Sequence, residues 1–195
     1  MDSLEQLRQR KTRVQPGFEV SGMAFEGVLK TLAHELGETR ASELRRDPFM
    51  PKRVIGLFKY PMSTYMELAD LGAELLRAQG WTFTRALQAF GTASVEAFFE
   101  SPVGRLMLAM NGGNAQRLLG AAAVAYKTIY SFGERTYEPL GPKEGVFHYR
   151  IELAGPALQS GVLMAGLRDS MGLTPALAYE GANADGSEFS LRLSW

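Results

Sequence analysis

The chain has 195 residues and carries 21 Lys and Arg against 21 Asp and Glu, so its formal charge is zero. It contains no Cys, which excludes disulfides, thiolate nucleophiles, iron–sulfur clusters and Cys-type zinc sites. Two His, at 34 and 148, leave little for metal or proton-transfer chemistry, and zero net charge argues against broad attraction to nucleic acid or to an anionic membrane.

The N-terminus lacks the apolar stretch of a secretory signal. No uninterrupted apolar run reaches the roughly 18 residues that a membrane span needs. A cytoplasmic protein is therefore expected. Arg8, Arg10, Lys11 and Arg13 precede Pro16-Gly17. Residues 1–17 read as a basic, flexible leader, or as a small patch for an anionic partner, and 18–195 as a single domain.

From Gly22 to Leu36, Val28, Leu29, Leu32, Ala33 and Leu36 recur at helical spacing, and Gly37 is a stop. His34 lies across the wheel from that stripe, as a solvated residue would. A short helix is predicted over Ala41–Arg46, before Pro48. Tyr60-Pro61 opens the next helix; Thr64-x-x-Glu67 fits a capping box and Gly80 ends it. A helix over Phe83–Phe99 carries Gly91 at its middle. Gly there costs about 1 kcal/mol relative to Ala, so a close neighbour is expected. Ser101-Pro102 starts another short helix that ends near Asn111-Gly112-Gly113. Asn114 can cap a long helix from Ala115 to about Ser131, whose middle, Gly120-Ala121-Ala122-Ala123, leaves room for a packed element or a bound molecule.

After Gly133 the period changes to 2. Glu134–Pro139 pairs across a turn with Val146–Leu153, in which Phe147, Tyr149, Ile151 and Leu153 should face inward and His148, Arg150 and Glu152 outward. Pro156–Met171 is a helix stopped by Gly172. Leu177 and Tyr179 mark a strand, Asn183–Gly186 a turn, and Glu188–Trp195 a last strand. A helical N-terminal part followed by strand-strand-helix-strand-strand makes an α+β domain with an antiparallel sheet.

This order, with Phe25-x-Gly27-Val28-Leu29, Tyr60-Pro61 and Phe90-Gly91…Phe98-Phe99-Glu100-Ser101-Pro102-Val103-Gly104, resembles a paralogous family of uncharacterised proteins abundant in myxobacteria. More remotely it is similar to the heme nitric-oxide/oxygen-binding (H-NOX) domains, whose fold is shared by four-vinyl-reductase ligand domains and TRAPP trafficking subunits. The resemblance covers about residues 18–195 and implies a ligand-binding fold. H-NOX domains hold heme iron through a His on the long helix; setting Ile129 at that helix's Ile-x-Gly-like end places Ala122 at the ligand position. The family's Tyr-x-Ser-x-Arg clamp for the porphyrin propionates falls on Tyr149, Ile151 and Leu153, so only its Tyr is present. Without axial imidazole or clamp Arg, the resemblance implies the fold without heme, and no cofactor is expected.

No enzyme motif stands out. His148 and Glu152 share a predicted strand face with no activated Ser nearby, Glu134/Glu138 reads as solvated, and there is no phosphate loop, H-E-x-x-H or Asp-rich calcium loop. The aromatics Phe90, Phe98, Tyr126, Tyr130, Phe147 and Tyr149 suit the junction of helices and sheet, where related folds place their ligand. Candidate ligand-binding residues are Phe90, Ala122, Tyr126, Phe147 and Tyr149, around an apolar cavity of about 300 Å³ or more between the long helix and the sheet. The expected function is a non-catalytic sensory or protein-interaction module, signalling through a partner protein or self-association as a homodimer. The alternative is a binder of a small hydrophobic ligand in the pocket that relatives use for heme.

Overall fold

The computed structural model describes residues 3–111 and 113–195; Met1 and Asp2 of the expected leader and Gly112 of the expected turn lie outside them. The leader differs from expectation. Leu4–Lys11 forms a helix, α1, closed by a capping box in which the Ser3 hydroxyl accepts from the Gln6 amide and the Gln6 side chain accepts from the Ser3 amide. Leu7 is 1% exposed and Arg10 fully buried. Arg10 donates from Nε to the Leu153 carbonyl (3.0 Å) and from Nη1 to the Asp185 carbonyl (2.9 Å). Lys11 pairs with Glu67 at 2.6 Å, and Arg13 with Asp185 at 2.6 Å. The basic run is thus matched by acids of its own chain. Those partners lie far away in sequence, so local composition reads as a solvated leader.

Two short strands follow the leader and precede the fourth helix: β1 (Glu19–Ser21) and β2 (Lys59–Pro61), antiparallel through Val20 and Tyr60. Helix α2 spans Gly22–Leu36 and stops at Gly37, whose φ is +88°; His34 on it is exposed. Helix α3 (Glu38–Arg45) starts three residues earlier than the sequence suggests. Helix α4 (Met62–Arg77) starts directly after Pro61, so Thr64 is already inside the helix and the expected capping box does not form. Its Glu67 serves Lys11 instead.

Helices α5 (Phe83–Glu100) and α6 (Pro102–Asn111) follow, then α7 (Ala115–Ile129), which Asn114 caps by accepting from the Arg117 amide at 3.0 Å. Helix α7 ends two residues before the expected Ser131, because Tyr130 turns extended and bridges to Val20. Strands β3 (Glu134–Gly141) and β4 (Glu144–Arg150), helix α8 (Pro156–Met171) and strands β5 (Ala176–Glu180) and β6 (Phe189–Ser194) complete the chain. The four strands form an antiparallel sheet in the order β3-β4-β6-β5. The α+β class and the strand-strand-helix-strand-strand tail agree with the sequence reading.

Gly91 has the close neighbour its position implies. A side chain there would overlap the Leu158 carbonyl of α8, and one at Gly161 would overlap the Gln88 carbonyl of α5. The two helices therefore meet backbone to backbone.

Two stability effects follow from these contacts. Arg10→Ala leaves two buried carbonyls without their donor and should lower the unfolding free energy by about 2–4 kcal/mol, whereas exposed Arg8→Ala should change it by less than about 1 kcal/mol. Gly91→Ala should destabilise by about 1–3 kcal/mol despite Ala being the better helix former, because the added methyl forces α5 and α8 apart. Urea titrations with the slope m checked for constancy measure both.

Candidate ligand cavity and the polar cluster beside it

The small residues of α7 border a void. Ala122, Ala125, Tyr126 and Ile129 form one wall; Met23 and Ala24 of α2, Ser94, Val95 and Phe98 of α5, Met107 of α6, and Val162 and Gly166 of α8 form the others. The cavity measures about 90 Å³. Phe99, Met107, Ala122 and Ala125 on its lining are half-buried, so it communicates with the surface. It is almost wholly apolar. The Ser94 hydroxyl donates to the Phe90 carbonyl at 2.7 Å, and the Tyr126 hydroxyl donates to Gln159 Oε1. Gln159 lies behind Tyr126 and off the lining.

Of the expected ligand-binding residues, Ala122 and Tyr126 line this cavity, as do Phe98 and Tyr130. Phe90, Phe147 and Tyr149 do not. Phe90 points to the opposite side of α5, where its ring lies close to the backbone of Gly72 on α4. Phe147 and Tyr149 are consumed in an aromatic stack that fills the space between helices and sheet: Tyr137–Phe147 at 5.0 Å, Phe147–Tyr149 at 5.9 Å, Tyr149–Phe189 at 4.6 Å. The cavity accordingly lies among the helices, with no strand residue on its lining, and is smaller than expected. Among the lining residues that sequence reasoning missed are Met23, Met107, Val162 and Gly166; helical spacing marks such residues as apolar or small without showing which gap they share.

Beside the cavity lies a buried polar cluster. Strand β4 ends at Arg150, and Ile151 adopts a left-handed φ of +55°. That turn reverses the expected alternation: Ile151 is 46% exposed and Glu152 is fully buried. Glu152 forms an ion pair with Arg135 of β3, whose side chain is 3% exposed. The second carboxylate oxygen of Glu152 accepts from the Ala154 amide at 2.9 Å, and Arg135 Nη1 donates to the Phe132 carbonyl at 2.6 Å. The guanidinium stands over the Tyr130 ring at 4.8 Å and the Tyr126 ring at 5.5 Å. Burial opposes the charge of Arg135, but the adjacent Glu152 carboxylate outweighs it and holds the guanidinium above its ordinary value. Burial pushes the hydroxyls of Tyr65, Tyr126, Tyr130 and Tyr149 well up, and the Glu152 charge adds to the rise.

The expected pairing of His148 with Glu152 on one strand face does not occur. His148 faces outward, with Nδ1 2.8 Å from the Ser190 hydroxyl and Nε2 3.4 Å from Glu138. His34 lies 2.8 Å from Glu35 on the exposed side of α2. Neither imidazole is on the cavity lining. Among the described residues no group of three or more His, Asp or Glu is arranged to hold a metal ion, and no helix is long and apolar enough to cross a membrane.

Residues 13–195 match a family described as "Protein of unknown function (DUF2378)". The chain belongs to that family. The match starts at Arg13, so α1 lies outside it. No curated protein matches the chain. Among solved structures the chain resembles a point mutant of the H-NOX protein from K. algicida in its unliganded Fe(II) state, with a TM-score of 0.70 and 13% identity over 89% of this chain and 95% of that one. It resembles an H-NOX protein from S. oneidensis in its Fe(II)NO state equally, with a TM-score of 0.70 and 11% identity over 89% and 98% of the two chains. At such identities the likeness shows the fold: this DUF2378 member has the H-NOX fold.

The four raised tyrosines set a sign for alkaline stability. In the unfolded chain they ionise near the ordinary value of 10.0, while the folded state keeps them neutral and so binds more protons. Their contribution is complete below pH 10 and is lost as pH rises above it. Urea midpoints should fall steeply between about pH 10 and 12, and ultraviolet titration should find phenolate appearing only with unfolding for these groups.

Proposed function

We propose that this chain is a non-catalytic sensory module on the H-NOX fold that works without heme. The observation that carries this reading is Ala122. The resemblance sets it at the iron-ligand position, and it borders the cavity as a bare methyl group on a helix that has neither imidazole nor thiolate. The other residues do not fit a heme either. A void of about 90 Å³ falls short of the roughly 300–1,000 Å³ that even drug-sized ligands occupy. Leu153 stands where the propionate clamp has its Arg, and the nearby Arg135 is committed to Glu152. The one Ser–His contact, Ser190 with His148 at 2.8 Å and Glu138 beyond it at 3.4 Å, lies on the partly exposed outer side of the sheet and off the cavity lining, which supports a role for the cavity without catalysis.

Such a module acts by shape and contact, through a partner protein, a second copy of itself, or a small hydrophobic ligand. The cavity favours the last of these, since it places an apolar space within a fold whose relatives bind ligands. An absorption spectrum of protein as purified from cells, read with its mass in solution, tests the reading. A spectrum free of a Soret band, and unchanged in affinity for added hemin by Ala122→Gly, is the expected result. A stoichiometric Soret-absorbing cofactor, or turnover in a substrate panel, overturns it.

A further inference from the structure

This inference rests on the ligand-binding reading and gives the ligand its chemistry. We propose that the cavity takes a compact, uncharged, apolar molecule of about the size of a single six-membered ring, which enters beneath α6.

The chemistry follows from the walls. The Ser94 and Tyr126 hydroxyls on the lining are already engaged, with Phe90 and Gln159. A charged or strongly polar ligand would leave its own groups unpaired in a space of low dielectric, which is costly. The size follows from the volume: an engineered apolar cavity of about 150 Å³ in another protein stays dry and binds benzene or xenon, and the space here is about 90 Å³. Soft Met23 and Met107 side chains on the lining can yield to an occupant slightly larger than the void.

The route follows from α6. Gly104 is its one buried residue, and it sits so close to α5 that a side chain there would overlap the Phe98 carbonyl. Leu106 is 61% and Met110 73% exposed, while Met107, between them, lines the cavity. Helix α6 therefore closes the cavity with one flexible side chain and anchors nothing else in the core. Swinging it outward opens the space at little cost in buried area.

The test uses benzene and xenon as probes, with benzoate as the charged counterpart, followed by NMR of the full chain. The expected result is saturable benzene binding, with shifts concentrated at residues such as Ala122, Val162 and Gly166, and no comparable binding of benzoate. Gly166→Ala adds a methyl group that meets only Val95, at 3.9 Å, so it should fold normally and weaken benzene binding about tenfold. Ala122→Phe should abolish it. Met107→Ala should speed exchange of the probe without moving the shifted residues. No saturable binding up to the solubility limit of either probe, benzoate binding as well as benzene, or unchanged affinity in Gly166→Ala overturns the proposal. In a protein free of heme, any of those results sinks this inference alone and leaves the heme-independent module standing; a Soret band sinks the module.

Discussion

The contact between α5 and α8 at Gly91 and Gly161 sets the geometry on which the rest depends. Two helices can approach backbone to backbone only where both lack a side chain, and here each glycine faces a carbonyl of the other helix. The pin fixes the distance between the helices at one level. A turn further along, Val95 and Phe98 on α5 and Val162 and Gly166 on α8 border an opening that α7, with its run of small residues, does not fill. The cavity is a by-product of a tight contact beside a deliberately thin helix face.

The polar cluster next to it is held by a different logic. Arg135 and Glu152 are both withdrawn from water, and each is bonded to the other and to a backbone group, Phe132 or Ala154, while Arg135 Nε is left without a hydrogen-bond partner. A buried pair of this kind gives little net stability over apolar residues, but removing one partner strands the other charge. Its position between the sheet and the Tyr126 and Tyr130 rings ties the strand layer to two residues of the cavity wall. A change in the cavity that moves Tyr126 must also disturb its bond to Gln159 and the face presented to Arg135.

Most of the architecture is legible in the sequence because it is encoded locally. Gly37, Gly80 and Gly172 stop helices with positive φ, Asn114 caps α7, and the change of period after Gly133 marks the sheet. The failures share a cause: each depends on a partner far along the chain or on a single backbone angle. Helix α1 looks solvated until Leu153 and Asp185 come to meet Arg10. The three-residue strands β1 and β2 are too short for a pattern. One left-handed residue, Ile151, turns its own side chain outward and Glu152 inward, against the expected alternation, while Leu153 stays buried as expected. At the cavity, the small residues around Ala122 signal space correctly, whereas Phe90, Phe147 and Tyr149 are equally apolar and are used for packing. Periodicity says that a side chain is inside; it does not say which interior gap it borders.

The docking of α1 bears on where the folded unit begins. The family match starts at Arg13, yet Arg10 supplies the donors for carbonyls on either side of the α8 entry and the β5–β6 loop. A fragment trimmed to the family boundary would leave both carbonyls facing an empty groove, with Glu67 and Asp70 deprived of Lys11. Such a truncation would turn a neutral, closed surface into an acidic slot able to capture the basic helix of another molecule.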